Sequence, residues 1–343
     1  MRAVVTADTH LSISNRYLSF DSERLGVRRE QFYDSFDAVV DHAIESDADF
    51  LFHSGDLFDV ADPATEFVVR VIRRIRDLEE SGVVPVFVPG NHDASRVVDG
   101  REVTDPHIST PLDVLDAAGR GTVFPDTNRG SSRVFDRNGE TVQVIGLGYD
   151  PSFDGRDSGG VDPLTDLDVE RTDADHSVLL THHCIDGHDG GLDGWPHVRH
   201  ETIAELDVDV VCSGHVHEHT HFDVRDTDVI VPGATERRSF GEASNRPGFY
   251  TVETSDSNGE TVVERTEIDA APMFDWSVCA ADLPEGDETE RLCAKIEEEV
   301  DGDTSLRLSL ADPDNRIDTA RLEEAGQSAF FFQLVQNATR DSR

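Results

Sequence analysis

Short apolar runs alternate with stretches of helical periodicity along the first two thirds of the chain. The runs are rich in Val, Ile, Leu and Phe and are bounded by turn residues, which predicts buried strands. They cover residues 3–7, 49–53, 83–88, 143–147, 177–181, 208–212 and 229–233. Apolar residues at helical spacing predict one helix over about 28–45 and another that opens at Asp62-Pro63 and ends before Gly82. This alternation of strands and helices is typical of an α/β fold.

The pattern changes after about residue 251. A hairpin-like pair around Asn258-Gly259 leads to Pro272. Beyond it we predict helices over 288–300 and 319–325, and strands over 305–310 and near 330–334. Because this segment contains no cluster of metal-binding residues, we predict two domains, residues 1–250 and a small α+β domain over 251–343.

Polar residues with metal-binding side chains follow five of the predicted strands. They are Asp8 and His10, then Asp56 in the sequence GDLFD, then Asn91, then His182, and finally His215 and His217. Each piece alone is ordinary, since a lone Gly-Asp pair is usually a turn or helix cap and a lone His is usually structural. Because open α/β sheets bind ligands at the carboxyl ends of their strands, the five together predict one metal centre.

The residue types fit two mixed nitrogen and oxygen sites, which suit manganese, iron or zinc better than calcium or magnesium. We assign Asp8, His10, Asp56 and His217 to one ion, and Asp56, Asn91, His182 and His215 to the other, so that Asp56 bridges both. His183 is the alternative to His182. Two ions about 3.5–4 Å apart would hydrolyse phosphate esters with a metal-activated hydroxide as the nucleophile. We expect His92 to face the substrate as the catalytic residue that stabilises or protonates the leaving oxygen.

Length and composition limit the other possibilities. A chain of 343 residues can bury a large core. It has no apolar run near the roughly 20 residues that span a bilayer, and it starts directly in a strand without a leader, so we expect a cytoplasmic protein without a membrane partner. The four cysteines show no CxxC spacing and are expected to be free thiols.

The formal net charge is −41, and Lys295 is the only lysine. The acidic residues are interleaved with regular apolar periodicity, which argues against disorder. We therefore predict an acidic, solvated surface suited to the salty cytoplasm of a halophile. This charge disfavours a nucleic-acid partner only weakly, because at high salt the counterion-release contribution of a basic surface is already largely lost.

The motifs DxH, GDxxD, GNHD, a strand-ending His and GHxH resemble those of the calcineurin-like metallophosphoesterase superfamily, over about residues 1–250. Three further stretches are similar to the meiotic recombination eleven family of double-strand-break nucleases, which includes bacterial SbcD. They are residues 28–36, 55–58 and 232–242. The resemblance implies a two-sheet sandwich flanked by helices, and residues 251–343 are similar in length and pattern to that family's DNA-capping domain.

The resemblance also implies a manganese-dependent exonuclease and endonuclease that acts on DNA ends. It implies a homodimer formed through helices near the site motifs, and an ABC-type coiled-coil ATPase (SbcC-like) as partner, although little chain follows the capping-like segment to bind it. The candidate DNA-binding cations are Arg16, Arg28, Arg29, Arg237 and Arg238. Two alternatives stay open: a general metallophosphatase or phosphodiesterase acting on nucleotides or small phosphoesters, and a non-catalytic DNA-end tether.

Overall fold

The computed structural model of the chain describes residues 1–93, 97–98, 101–102, 110–125, 129–149, 160–192, 194–254, 261–312 and 315–336. The strands are β1 (Arg2–Thr6), β2 (Phe50–His53), β3 (Val84–Phe87), β4 (Val97–Val98), β5 (Arg101–Glu102), β6 (Thr122–Val123), β7 (Ser131–Arg137), β8 (Glu140–Leu147), β9 (His176–Thr181), β10 (Cys184–Ile185), β11 (His197–Val198), β12 (Val210–Ser213), β13 (Thr220–Val224), β14 (Thr227–Val231), β15 (Gly248–Thr254), β16 (Thr261–Glu267), β17 (Met273–Cys279), β18 (Ser305–Ala311) and β19 (Phe331–Gln336). The α-helices are α1 (Ser22–Glu45), α2 (Thr65–Glu80), α3 (Pro111–Ala117), α4 (His200–Ile203), α5 (Glu288–Glu299) and α6 (Thr319–Ala325).

Two six-stranded sheets form the larger part of the molecule. Their strand orders are β16-β15-β1-β2-β3-β6 and β13-β14-β12-β9-β8-β7. One apolar core contains Val5 and Phe52 of the first sheet together with Val144 and Leu180 of the second, so the sheets pack face to face. The predicted fold class, an α/β two-sheet sandwich with helices, is confirmed.

The helices α1 and α2 begin at different residues from those predicted. α1 starts at Ser22, ahead of the predicted Arg28, because the Asp21 carboxylate accepts a hydrogen bond from the Arg24 N–H (2.9 Å) and caps the first turn. The first turn of α1 lacks the apolar periodicity on which the prediction rested. α2 starts at Thr65, so Pro63 precedes the helix and does not lie in its first turn.

The chain forms two compact units. Unit 1 comprises Met1–Ser14, Arg28–Glu236 and Arg246–Asp269, and unit 2 comprises Asn15–Val27, Arg237–Asn245 and Ala270–Arg343. β15 pairs with β1, and β16 pairs with β15. These pairings join residues beyond the predicted boundary at 250 to unit 1, while the predicted turn at 258–259 lies outside the described residues. That the units are a nuclease domain and a capping domain stays a prediction.

Unit 2 is built around a parallel three-stranded sheet with the order β17-β18-β19. Leu306 and Leu308 of β18 share an apolar core with Leu292 and Ile296 of α5 and Leu322 of α6. The predicted helices and the strands β18 and β19 are confirmed. β17, in which apolar and polar residues alternate, is not among the predicted strands. No helix in the described part of the chain is long and apolar enough to cross a membrane.

Candidate metal centre

The polar loops that follow β1 and β2 run side by side at one edge of the first sheet. The Asp8 N–H donates to the Gly55 carbonyl (3.0 Å), and the His10 N–H donates to the Asp56 carbonyl (3.1 Å). These bonds continue the parallel pairing of β1 and β2 beyond the strands. They bring the DxH and GDxxD motifs together.

Four of the predicted ligands have left-handed backbone conformations. The φ angles are 51° at Asp8, 41° at His10, 56° at Asp56 and 82° at His215. Non-glycine residues seldom adopt this region, and such strain persists only where the surrounding structure enforces it. It is common at functional sites, where it redirects a side chain at the end of a strand.

One group of ligands consists of Asp8, His10 and His217. His10 Nε2 is 3.1 Å from His217 Nε2, and each of these nitrogens is within 3.8 Å of Asp8 Oδ1. One ligand atom from each of the three residues lies within 4.8 Å of the other two. The three side chains therefore face a common point.

A second group consists of Asn91, His182 and His215. Asn91 Oδ1 is 2.9 Å from His215 Nδ1 and 3.3 Å from His182 Nε2. The Asp8 carboxylate links this group to the first by accepting a hydrogen bond from the His215 N–H (3.0 Å).

Asp56 lies between the two groups and is 2% exposed. Its Oδ2 is 3.7 Å from His10 Nε2 and 3.5 Å from His182 Nε2. Gly90 makes this position available: a Cβ there would lie 2.1 Å from Asp56 Oδ1 and 2.3 Å from the Asp56 amide nitrogen. The glycine of GNHD is therefore required by close approach to the GDLFD loop.

His182 and His183 point in different directions. His182 Nδ1 is 2.7 Å from the Ser54 carbonyl oxygen, which can only accept, so this nitrogen carries the proton and Nε2 is left to face Asp56. His183 Nδ1 is 2.8 Å from Thr181 Oγ1, and its ring stacks on Tyr149. The geometry favours His182 as the ligand.

His92 lies at the rim of the site, with its side chain 12% exposed. Its Nδ1 donates to the Asp59 carbonyl oxygen (2.7 Å), and its Nε2 is 4.0 Å from Asp56 Oδ2. The Asp59 carboxylate also lies 3.6 Å from His10 Nδ1 and 3.7 Å from His92 Nδ1. Asp59, the second aspartate of the GDxxD motif, is not among the predicted site residues.

Asp93, the aspartate of GNHD, is a second residue to which no role was given. Its carboxylate accepts hydrogen bonds from the backbone N–H groups of Leu57 (3.0 Å), Phe58 (3.1 Å) and Gly90 (3.1 Å). Its hydrogen bonds therefore connect the GDLFD loop to the GNHD loop. Burial and the nearby charge of Asp56 raise the pKa of Asp93 to about 7.

The buried histidines and carboxylates shift one another's titration. Burial would raise the pKa of Asp56, but the positive charges of His182 and His92 hold it well below its usual range. Burial would lower the pKa of His182, and the charge of Asp56 raises it to about 9. Burial and the charge of His182 hold the pKa of His215 well below the usual value. A neutral imidazole such as that of His215 is the form that binds metals.

The residues present fit two divalent cations. Their donor atoms are imidazole nitrogens, carboxylate oxygens and one amide oxygen, a set that suits manganese, iron or zinc. His215 Nε2 is buried and has no hydrogen-bond partner among the described residues. Charges as closely packed as Asp8, Asp56 and four histidines are costly to bury unless they coordinate a metal or pair with one another.

An aromatic wall flanks His215. The Trp195 ring lies 4.6 Å from the His215 ring between centroids, and the Tyr149 ring lies 5.9 Å from that of Trp195. Tyr149 is buried, whereas Trp195 is half-buried. The wall places a fluorescent side chain beside the candidate centre.

Most of the arginines predicted to bind DNA are engaged elsewhere. Arg28 is buried, with its guanidinium against Glu236, so the prediction that it contacts DNA is wrong. Arg29 donates to the Ile13 carbonyl, and Arg237 donates to the carbonyls of Asn245 and Ala271. The guanidinium of Arg238 lies over the Tyr17 ring. Arg16 is exposed.

The sequence profile of the calcineurin-like phosphoesterase family matches residues 1–219. The chain therefore belongs to this family of metal-dependent phosphoesterases.

Its relatives include proteins described as the DNA double-strand break repair protein Mre11, which confirms the predicted resemblance. The one from Halobacterium salinarum is 25% identical over 95% of this chain and 74% of its own length. The one from Haloferax volcanii is 26% identical over 87% of this chain, which spans 58% of that protein. A solved structure described as a novel archaeal phosphodiesterase aligns with 78% of this chain and all of its own, at 13% identity and a TM-score of 0.37.

Proposed function

We propose that this chain is a two-metal phosphodiesterase that hydrolyses DNA at its ends, as an exonuclease and endonuclease, in the repair of double-strand breaks. The observation that carries the proposal is the position of the Asp56 carboxylate, within 3.7 Å of His10 Nε2 on one side and 3.5 Å of His182 Nε2 on the other. A carboxylate between two donor groups is what two-metal hydrolysis of phosphate esters requires. The DNA substrate is inferred from the repair proteins to which the chain is similar.

In this proposal Asp8, His10, Asp56 and His217 hold one ion, and Asp56, Asn91, His182 and His215 hold the other. We expect Mn²⁺ in both positions, because a mixed set of imidazole and oxygen donors suits it. Two such ions, when bound, supply a nucleophile at neutral pH and neutralise the charge of the phosphoryl group.

His92 is the residue that we propose meets the leaving group. Because its Nδ1–H is donated to the Asp59 carbonyl (2.7 Å), we assign the transfer of a proton to Nε2 of the doubly protonated ring. That nitrogen is on the Asp56 side of a partly exposed ring. A proton donated from Nε2 to the departing oxygen is general acid catalysis, which contributes about 10²–10⁴-fold.

The remaining parts of the proposal concern assembly. We propose a homodimer, an ABC-type coiled-coil ATPase as partner, and a cytoplasmic location in a halophile. The net charge of −41 supports the last point. The same charge favours the competing candidate, a phosphoesterase for nucleotides or small esters, because an acidic protein repels a polyanion.

A paired assay tests the function. The full chain is incubated with Mn²⁺ at high salt with linear duplex DNA or with bis-p-nitrophenyl phosphate. We expect degradation of the DNA from its ends. Turnover of the small ester alone would establish the competing phosphoesterase, and two bound ions without any turnover would establish a DNA-end tether.

The role of His92 is tested by His92→Ala, with His42→Ala as the matched control. His42 is half-buried in the last turn of α1, its Nε2 is 3.1 Å from Thr251 Oγ1, and it belongs to none of the candidate metal-binding groups of the described residues. We expect His92→Ala to retain two bound ions and lose about 10²-fold or more in DNA hydrolysis, whereas His42→Ala keeps both properties. A fall in metal content with His92→Ala would show that His92 is a ligand.

A further inference from the structure

A buried ion pair joins helix α1 to the chain beyond β14. Arg28 is 2% exposed and Glu236 is 1% exposed, and Arg28 Nη2 is 3.2 Å from Glu236 Oε1. Arg28 Nη1 also donates to Gln31 Oε1 (2.7 Å), and the guanidinium lies 4.9 Å from the Phe32 ring centroid. Removing two charges from water costs about as much as their attraction returns, and an apolar pair of similar volume is often equally stable. Stability alone therefore does not account for the pair.

The segment that ends at Glu236 packs on the backbone of His217. The Ala234 N–H donates to the His217 carbonyl (3.2 Å), and the Ala234 carbonyl accepts from the Gly248 N–H (3.4 Å). Gly233 has φ of +74°, and a Cβ there would lie 2.9 Å from both the His217 oxygen and the His219 nitrogen. Gly233 and Ala234, at the start of the segment 233–236, thus contact the backbone of His217 directly.

His217 needs such support because it lies in the loop between β12 and β13, outside any helix or strand. Its Nε2 must stay 3.1 Å from His10 Nε2 and 3.7 Å from Asp8 Oδ1 for the three side chains to face one point. His182, by contrast, directly follows β9 and is held by the Ser54 carbonyl. His217 thus depends on its loop, whereas His182 is placed by a strand end, and the N–H of His215 in the same loop is held by the Asp8 carboxylate.

We propose that the Arg28–Glu236 pair positions His217 and thereby sets the affinity of the ion held by Asp8, His10 and His217. This inference rests on the two-metal part of the proposed function. Arg28 and Glu236 act through the segment 233–236 and are positioning residues. A charged pair suits this task because its hydrogen bonds are directional and fix one register of the segment, which an apolar contact does not.

Residues that orient a metal ligand from behind typically change metal affinity by about 10- to 100-fold when replaced. The inference predicts this loss for one ion and not for the other. A general loosening of unit 1 would weaken both ions, because both groups share Asp56. The difference between the two ions is therefore the measurement that separates positioning from stability.

The test uses the double variant Arg28→Met/Glu236→Met in the full chain, which removes both charges and leaves neither one unpaired. The matched control is Arg70→Met/Glu30→Gln, which removes an ion pair of α1 and α2 that is exposed at Glu30. Calorimetric titration with Mn²⁺ gives the affinities of both ions. Fluorescence of Trp195, in a Trp276→Phe background, follows the ion beside His215.

In the double variant we expect the affinity measured in one calorimetric step, that of the ion held by Asp8, His10 and His217, to fall by about 10- to 100-fold. The Mn²⁺ concentration at the midpoint of Trp195 quenching should not change, and the control variant should bind both ions as the wild type does. Equal weakening of both steps, or no weakening, would overturn the inference. If the double variant does not fold, Glu236→Gln, which keeps an acceptor for Arg28, is expected to weaken the same step alone, and an unchanged step would again overturn it. Wild-type protein that binds two ions but hydrolyses no DNA would reject the proposed DNA substrate and leave this binding test intact.

Discussion

Both units contain parallel strands, but within the described residues only unit 1 groups candidate metal ligands at its strand ends. In unit 1 the loops after β1 and β2 bring together Asp8, His10 and Asp56, all with left-handed backbones. In the described residues of unit 2, Asn315 alone among non-glycine residues has such a backbone, and no His, Cys, Asp or Glu side chains are grouped closely enough to hold a metal. Parallel strands alone do not make a site, because the strained loops that follow them redirect the side chains.

The two units also differ in what their interiors bury. The core of unit 2 around Leu306 and Ile296 is apolar, and Glu288, a buried carboxylate of the same unit, is paired with Arg316 (3.0 Å). Unit 1 has an apolar core as well, but it also buries Asp8, His10, Asp56 and His182 at one edge. Each left-handed residue costs about 1–3 kcal/mol, which the rest of the unit must offset. The candidate site of unit 1 therefore combines buried charge with backbone strain, at a cost in stability.

The largest expected effect comes from removing the charge between the two ligand groups. Asp56→Asn keeps the shape of the side chain but loses the charge, so we expect phosphodiesterase activity to fall by about a thousandfold or more, the scale at which a preorganised electrostatic group acts. Asp275→Asn, the same change on β17 of unit 2, should leave activity nearly unchanged. Assays with bis-p-nitrophenyl phosphate and DNA measure both. Equal losses of activity in the two variants would mean that the candidate site is not confined to unit 1.

The next effect concerns stability. Asp93→Ala leaves three buried backbone N–H groups without their acceptor. Because each unsatisfied group costs about 1–3 kcal/mol, we expect the free energy of unfolding to fall by about 3 kcal/mol or more. The matched change in unit 2 is Asp301→Ala, which removes an exposed carboxylate that accepts from Thr304 Oγ1 and the Asp303 N–H. Urea titrations should show a large shift in the midpoint for the first and little for the second. A similar shift for both would contradict the comparison.

Metal removal should act on unit 1 and not on unit 2. The two tryptophans report the units separately, since Trp195 flanks His215 and Trp276 lies in β17 beneath Lys295. With Mn²⁺ at a hundred times its dissociation constant, binding stabilises the native state by about 2.7 kcal/mol. We expect chelation to lower the unfolding temperature reported by Trp195 in a Trp276→Phe variant. In the reciprocal Trp195→Phe variant, the transition reported by Trp276 should not move.

The smallest effect is a pH dependence in unit 2. Hydrogen bonds from Arg307 (2.8 and 2.5 Å) lower the pKa of Asp275 below its usual value near 3.8. A carboxyl whose folded pKa is lowered stabilises the fold above the unfolded pKa and loses that contribution as the pH falls through the folded one. Arg307→Met should therefore lower the free energy of unfolding by less than about 1 kcal/mol at neutral pH, and should leave it unchanged below the pKa that Asp275 has in the folded protein. Unfolding measured against pH with unit 2 fluorescence checks this.

The features that could be predicted from sequence are those that depend on neighbouring residues along the chain. Asp8 and Asp56 follow recognisable strands, and parallel strands that end at one edge bring their loops together without any knowledge of distant contacts. The choice between His182 and His183 was less certain from sequence alone, because it depends on which ring nitrogen meets the Ser54 carbonyl.

The features that could not be predicted depend on contacts between residues far apart in the sequence. Arg28 was a candidate for DNA contact because exposed and buried arginines look alike in a sequence, and its partner Glu236 is 208 residues away. The sequence did not reveal which segments form unit 2, because residues of unit 1 separate its segments 15–27 and 237–245 from residues 270–343. Periodicity within a segment carries no information about which distant segment covers it.

The pairing of β1 with β15 has a consequence for biosynthesis. Arg2 pairs with Glu253, so β1 must wait for about 250 residues to be translated before its second neighbour exists. At about 5–20 residues per second, a ribosome needs roughly 12–50 seconds to make them. During that interval the nascent chain carries an open strand edge of the kind that invites mispairing. The central sheet of this protein can close only when most of the polypeptide has emerged.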